Sequence, residues 1–127
     1  ANMKESFFQF RDPQLINLEF VINEEFDEEL FAGFSIESEL QNGIIENKKE
    51  AAVRLKLKIG DKTEKYPFCI IIIMSGDFTC SKEEFFDKMI QTNAPALLLS
   101  YARPIVSLVT AQAGFPSFNL PFMNFTE

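Results

Sequence analysis

The chain has 127 residues, 46% of them hydrophobic, with a formal net charge of −7 and a pI near 4.6. This length is most simply one domain over residues 1–127, able to bury roughly two-thirds of its unfolded surface in one core. The acidic balance argues against nucleic acid and anionic membranes as partners, because phosphate binding depends on basic patches. It favours solubility and attraction to basic partners.

The chain has few residues of the types that act as catalytic groups or metal ligands. It contains no His, and its 2 Cys cannot complete a four-ligand zinc site without several carboxylates. Cys69 lies inside an isoleucine run and is interpreted as a small buried apolar residue. No Gly-rich phosphate loop or nucleophile motif is present in the sequence. We therefore expect no catalytic residue, no metal site and no cofactor, and we expect that the protein is not an enzyme.

Targeting signals are also missing from the pattern. The N-terminal residues hold no apolar segment of signal-peptide length. The longest uninterrupted apolar run, residues 68–74, is far shorter than the ~20 residues of a membrane-spanning helix. We expect a soluble, cytoplasmic protein without membrane insertion.

Three segments alternate between apolar and polar residues, as half-buried antiparallel strands do. They are LINLEFVIN (15–23), FSIESEL (34–40) and VRLKLKI (53–59), and FFQF (7–10) precedes them as a candidate edge strand. The polar side of FSIESEL is acidic and that of VRLKLKI is basic, as cross-strand pairing would favour. A hairpin turn at residues 60–62 is then predicted to lead into a fourth strand.

The fourth strand, within PFCIIIIMSG (67–76), has no polar side because it contains four consecutive isoleucines. The helices that follow can cover one face of a small sheet but hardly two. Each leucine-sized side chain left exposed gives up roughly 1.5–3 kcal/mol. We therefore expect a second layer from another copy of the chain or from a client, and we predict a homo-oligomer.

Helical patterns occupy much of the last third of the chain. Ser81 is a predicted N-cap for a helix that ends near residues 93–95, and a longer helix covers about residues 96–113. Gly114 is a natural C-terminal stop, whereas Pro104 should kink the longer helix or mark its true first turn. Four strands followed by two helices predict an α+β fold with an antiparallel sheet.

The segment NEEFDEELF (23–31) is predicted to be a surface crossover between the first two strands, because it is too acidic for a core element. Its acidic cluster consists of Glu24, Glu25, Asp27, Glu28 and Glu29. Such a cluster is either a solvated loop or the binding site of one specific basic partner.

The last third of the chain resembles the C-terminal helix and tail of the protein-export chaperone family SecB. The resemblance rests on residues 93–125, and the SGDFTC segment (75–80) is similar to the family's exit from its fourth strand. The matching motifs are Pro95, Tyr101-Ala102-Arg103, Phe115-Pro116, Asn119-Leu120 and Asn124-Phe125.

Resemblance to SecB implies four antiparallel strands, two helices and a homotetramer built as a dimer of dimers. It implies an ATP-independent holdase that binds unfolded precursor polypeptides for protein export and passes them to the translocation ATPase. At the position where the family has a glutamate that contacts this ATPase, the present sequence has Ile71. Engagement of the ATPase is therefore left open.

The resemblance also implies a client groove lined by apolar side chains. By position, its peptide-binding residues are Phe26, Phe31, Phe34, Ile36, Phe118 and Phe122. The alternative is an oligomeric interaction module that serves one dedicated partner, such as an antitoxin-type client, without an export role. A carrier of lipids or small molecules is a further alternative.

Overall fold

The computed structural model describes residues 8–44 and 49–125. Its strands are β1 (Phe8–Ile22), β2 (Ile36–Ile44), β3 (Glu50–Ile59) and β4 (Phe68–Cys80). A short 3-10 turn (Glu28–Leu30) follows β1, and the helical elements are α1 (Glu83–Lys88), a π-helical turn (Met89–Asn93) and α2 (Ala94–Gln112). The strands form one antiparallel sheet in the order β1-β4-β3-β2, which confirms the predicted α+β fold class.

The pairing of β2 with β3 follows the predicted charge pattern. Glu37 lies opposite Lys58 and Glu39 opposite Lys56, so the acidic row of β2 faces the basic row of β3. Every second residue of β3 from Ala51 to Ile59 is buried. Alternation in the sequence therefore predicted correctly which side of these strands faces the core.

β1 differs from the prediction in two respects. The FFQF segment is not a separate strand, because residues 8–10 already belong to β1. The register of β1 against β4 shifts between Arg11 and Gln14 and again between Leu15 and Asn17. Ile16 falls in the second shift, so it does not continue the inward row of β1 and is 40% exposed.

The two predicted helices occur as α1 and α2, but they run as one helical segment, Glu83–Gln112, without an intervening loop. The N-cap is Lys82 and not Ser81. Pro104 lies inside α2, well beyond its first turn. Gly114 has a φ of 93°, a left-handed conformation that a glycine after a helix adopts readily, and it follows the end of α2 as predicted.

The predicted tight turn at residues 60–62 is instead an eight-residue connection, residues 60–67, between β3 and β4. Gly60 has a φ of 68°, and a side chain added there would lie 2.6 Å from the backbone oxygen of Phe68. Both the conformation and the space at this position require glycine.

The core lies between one face of the sheet and the helical segment. Residues of β4 at even positions, such as Ile70 and Ile72, are fully buried against it. On the opposite face, Ile71 and Ile73 are only half-buried, and they lie opposite Lys58 and Lys56 of β3. The aliphatic stems of neighbouring lysines can shield such side chains while their ammonium groups stay in water.

The exposed apolar surface therefore does not lie mainly on the second face of β4, where the isoleucine run predicted it. Besides residues of β1 and the crossover, it includes α2 positions at heptad spacing, Leu97, Tyr101 and Leu108, with exposed Pro104 between them. The segment Glu83–Gln112 is long and apolar enough to cross a membrane by length and composition. Its inner side packs on the sheet with residues such as Leu98 and Val106 fully buried, as in the core helix of a globular domain.

Candidate functional site

The crossover, residues 23–35, passes along one end of the sheet because β1 and β2 are its opposite edges. The same end carries the β3–β4 connection. Asp27 begins the 3-10 turn of the crossover, and its Oδ1 accepts a hydrogen bond from the backbone N–H of Glu29 at 3.0 Å. The backbone N–H of Asp27 donates to the carbonyl oxygen of Glu64 at 2.9 Å, which joins the crossover to the β3–β4 connection.

Asn23 makes a second and stronger link between these two loops. Its Nδ2 carries two hydrogens and lies within hydrogen-bond distance of three carbonyl oxygens, those of Asp61 at 2.9 Å, Thr63 at 3.0 Å and Tyr66 at 2.7 Å, so one hydrogen is shared between two of them. Its backbone N–H donates to the carbonyl oxygen of Pro67 at 2.9 Å. The start of the crossover is therefore fixed on the β3–β4 connection by one side-chain amide.

Hydrogen bonds also order the β3–β4 connection itself. Asp61 accepts hydrogen bonds from the hydroxyl of Thr63 and, at 2.8 Å, from its backbone N–H. These hydrogen bonds hold the pKa of the Asp61 carboxyl below its ordinary value.

Cys69 follows the connection and is 2% exposed. Burial raises the pKa of its thiol, so the thiol stays neutral, in agreement with its interpretation as a buried apolar residue.

Aromatic rings connect the crossover to the sheet in an unbroken series. Ring centroids are 5.9 Å apart for Phe26 and Phe31 and 5.1 Å apart for Phe31 and Phe34, both in edge contact. Phe34 stacks on Phe68 of β4 at 4.8 Å and is in edge contact with Phe118 from the tail at 5.0 Å. Phe34 is thus the ring at which crossover, sheet and tail meet.

Two more rings contact this series. Tyr66 stacks on Phe34 with centroids 6.1 Å apart, and Phe115 meets Phe68 at 5.0 Å. We use the name aromatic cluster for Phe26, Phe31, Phe34, Tyr66, Phe68, Phe115 and Phe118. Phenylalanine rings offer apolar area without a polar group, so contacts with them make few demands on a partner's sequence.

Polar contacts hold the tail beside α2. The buried hydroxyl of Thr110 donates to the carbonyl oxygen of Val106 at 2.9 Å and accepts from the backbone N–H of Phe118 at 2.8 Å. Arg103 Nε donates to the carbonyl oxygen of Leu120 at 2.8 Å, and Leu120 is fully buried. Phe118 therefore reaches the aromatic cluster from a tail fixed on both sides of it.

The crossover side of the aromatic cluster is open to solvent. Phe31 is 38% exposed and its neighbour Leu30 is 45% exposed, although both are large apolar residues. A surface pocket of about 440 Å³ lies beside them, lined by Leu30, Ala32, Gly33, Phe34, Ser35, Lys65 and Tyr66. This arrangement can receive an apolar side chain of another polypeptide.

The structure brings together five of the six residues predicted to bind peptide. Phe26, Phe31, Phe34 and Phe118 belong to the aromatic cluster, and half-buried Ile36 continues from Phe34 at the start of β2. The sixth, Phe122, is 80% exposed. The centroid of its ring lies 4.0 Å from Cζ of the Arg103 guanidinium.

The acidic cluster lies on the solvent side of the crossover. Its residues, Glu24, Glu25, Asp27, Glu28 and Glu29, are all exposed, and they flank the half-buried ring of Phe26. Asp27 also has the structural role of beginning the 3-10 turn. In residues 8–44 and 49–125, no group of three or more His, Cys, Asp or Glu residues is arranged to hold a metal ion.

Sequence reasoning missed three residues of this site. Tyr66 and Phe68 were not assigned to a groove, because Phe68 belongs to a strand that looked wholly buried and Tyr66 lies in a connection. Asn23 was missed as well. An asparagine at the end of a strand carries no sequence signal that its amide will meet three carbonyl groups from residues far along the chain.

Comparison with known proteins supports the resemblance in the sequence. Residues 25–127 match the family model described as preprotein translocase subunit SecB. An uncharacterized protein of Methanocaldococcus jannaschii is 31% identical over 115 residues, which cover 85% of this chain and 73% of that protein.

Two solved structures share the fold at low sequence identity. One is a SecB-like chaperone of Mycobacterium tuberculosis in complex with a ChAD peptide from the HigA1 antitoxin, with a TM-score of 0.70, 15% identity, and coverage of 92% of this chain and 88% of that one. The other is a protein of unknown function from Streptococcus agalactiae, with a TM-score of 0.54, 20% identity, and coverage of 96% and 100% respectively.

Proposed function

The chain belongs to the SecB family, and we propose that it is an ATP-independent holdase-type chaperone that binds unfolded polypeptides on the aromatic cluster. The observation that carries this proposal is the open series of rings from Phe26 through Phe31 to Phe34, continued by Ile36 on β2. An apolar surface of this kind holds unfolded segments by burial of apolar area, without sequence demands and without nucleotide hydrolysis.

The acidic cluster has a supporting role in this proposal. Its five exposed carboxylates lie on the crossover, and they attract basic segments of a client over a distance of about 10 Å at ordinary salt. They also keep an apolar surface soluble when no client is bound. Clients that combine apolar and basic residues should therefore bind best.

We also propose a cytoplasmic location, one domain over residues 1–127 and a role in protein export, as the family description suggests. Contact with the translocation ATPase is left out of this proposal, since Ile71 stands where the family has a glutamate. A dedicated client is the second candidate function. The fold shared with a chaperone solved with an antitoxin peptide favours it.

The proposed chaperone activity is tested by measuring whether the purified chain, in stoichiometric amounts, slows the aggregation of a reduced, unfolded protein. We expect suppression without ATP, because the proposed surface acts by apolar contact alone. No suppression at about tenfold molar excess would contradict the holdase function. Suppression of one client only, with steep dependence on salt, would favour the dedicated-partner alternative.

We propose in addition that the protein is a homo-oligomer, dimeric or tetrameric, and that the α2 stripe of Leu97, Tyr101, Pro104 and Leu108 lies in an interface. The spacing of these residues keeps them on one side of the helix, and Leu108 is 61% exposed. A helix in a globular protein seldom leaves such a stripe in water.

Leu108→Glu should reduce the mass of the particle in solution, measured by multi-angle light scattering, because an unpaired carboxylate in an apolar interface is costly. Gln91→Glu adds the same charge at an exposed position of the same helical segment and should leave the mass unchanged. A wild-type protein with the mass of one chain at high concentration would contradict the proposed interface.

A further inference from the structure

The crossover, residues 23–35, hides very little of its own surface. None of its residues is buried, and only Asn23, Phe26 and Phe34 are half-buried. A segment with so few buried apolar groups belongs to the least stable parts of a fold, because packing alone does not fix its position. Hydrogen bonds to the rest of the domain therefore decide where the rings of the crossover lie.

The backbone hydrogen bonds of the crossover to the rest of the domain lead to the β3–β4 connection, residues 60–67. The backbone N–H groups of Asn23 and Asp27 both donate to carbonyl oxygens of this connection, each at 2.9 Å. At the end of the crossover, the carbonyl oxygen of Ser35 accepts from the backbone N–H of Gly60 at 2.9 Å. The connection is therefore the support on which the crossover lies.

Asn23 is, among the residues that the structure describes, the one side chain that hydrogen-bonds between these two loops. The carbonyl oxygens of Asp61, Thr63 and Tyr66 converge on its Nδ2. Three converging acceptors are satisfied only by a donor, and a second acceptor in the same place would repel them. The position therefore requires the amide and not merely a polar side chain of similar shape.

This anchor lies next to the exposed end of the ring series. The backbone N–H of Phe26 donates to the carbonyl oxygen of Asn23 at 3.2 Å, and the ring of Phe26 contacts Phe31. At the other end of the series, the ring of Phe34 stacks on that of Tyr66, whose carbonyl oxygen is one of the three acceptors of the amide. Both ends of the ring series therefore rest on the connection.

We infer that Asn23 is a positioning residue for client binding. Its amide holds Phe26 and Phe31 in the arrangement that receives a client, and it does not itself contact the client. A surface that is ordered before association binds more tightly than one that must be ordered on binding. This inference rests on the proposed chaperone function and adds a determinant of its affinity that lies outside the rings.

Asn23→Asp is the sharpest test, because it keeps the shape of the side chain and replaces its donor with an acceptor. We expect the affinity for a labelled, reduced and unfolded protein, measured by fluorescence anisotropy, to fall by about tenfold or more. Asn42→Asp makes the same substitution at an exposed position near the far end of β2, and the affinity should stay within about twofold of wild type.

Asn23→Ala removes the amide without adding a charge, and it should weaken client binding in the same direction by about fivefold or more. A loss for Asn23→Asp but none for Asn23→Ala would assign the effect to the new charge beside the acidic cluster. That result would overturn the inference.

Hydrogen exchange separates positioning of the crossover from stability of the whole domain. In Asn23→Asp, the backbone amide of Asp27, which donates to Glu64, should exchange about tenfold faster or more, while the amides of β3 keep their wild-type protection. An equal loss of protection in β3 would mean that Asn23 stabilises the fold in general, and the inference would be wrong.

A double variant tests whether Asn23 acts through the crossover rings. Asn23→Asp together with Phe31→Ala should lose little more affinity than the larger of the two single losses, because both changes take the same ring away from the client. Single losses that add up would show that Asn23 acts elsewhere and would contradict the inference.

The wild-type titration distinguishes the two proposals. If the wild-type protein binds the client and Asn23→Asp binds it equally well, the positioning role is wrong while the chaperone function stands. If the wild-type protein binds no client, the chaperone function is wrong, and the positioning role is wrong with it.

Discussion

Phe34→Ala should weaken the binding of an unfolded client by about thirtyfold, the loss expected when an apolar hot spot of roughly 2 kcal/mol is removed. Phe34 is the ring at which crossover, sheet and tail meet, in contact with Phe31, Phe68 and Phe118. Its removal takes away contact area and also separates the exposed part of the aromatic cluster from its buried part. Client binding is measured by titration of a labelled, reduced and unfolded protein.

Two variants distinguish loss of the site from loss of the fold. Phe34→Leu keeps most of the apolar volume and should cause an intermediate loss of affinity with little change in thermal unfolding. Phe85→Ala removes a phenylalanine that is 40% exposed on α1 and should leave client binding unchanged. If Phe34→Ala and Phe85→Ala weaken binding equally, the aromatic cluster is not the client site.

Phe78→Ala should lower the free energy of unfolding by about 3–5 kcal/mol, the largest loss of stability that we predict for a single substitution. Phe78 is fully buried in β4, and its ring stacks on Phe10 at 4.7 Å and on Phe8 at 5.5 Å. Both partners come from the first part of β1. Truncation to alanine leaves a cavity and removes the surface on which this part of β1 packs.

This expectation is tested by urea unfolding, which gives the free energy of unfolding of Phe78→Ala for comparison with that of Phe122→Ala. Phe122 is 80% exposed and contacts Arg103, so its truncation should cost less than about 1 kcal/mol. The loss of unfolding free energy for Phe78→Leu should lie between the losses for these two variants. A loss below about 1 kcal/mol for Phe78→Ala would mean that the β1–β4 ring contacts contribute little to stability.

Much of the sheet could be predicted from the sequence because burial imposes a period of two on each strand. The inward apolar row and the outward charged row of β2 and of β3 were predicted in this way. The opposite charges of the two outward rows agree with the observed pairs, Glu37 with Lys58 and Glu39 with Lys56. The helix end at Gly114 was predictable because a glycine tolerates the left-handed conformation there. These features depend on neighbours that are close in sequence or directly opposite in the sheet.

The aromatic cluster was predictable only in part. Phe26, Phe31 and Phe34 lie within a few residues of one another in the crossover, so their proximity follows from the chain itself. Tyr66 and Phe115 reach the same cluster from distant segments, through a connection and a tail whose paths no local pattern fixes.

By itself, the sequence determined the α+β composition, the inward face of β2 and β3, and the family to which the chain belongs, because these depend on residue type and short-range spacing. Only the tertiary structure decided that β1 and β2 are the sheet edges, that Asn23 fixes the crossover on the β3–β4 connection, and that exposed apolar residues also lie on α2 and β1. The physical reason is that edge position and solvent exposure depend on which distant segments pack together. The isoleucines of β4 show this best, since Ile71 and Ile73 are half-buried on the face of the sheet away from the helical segment.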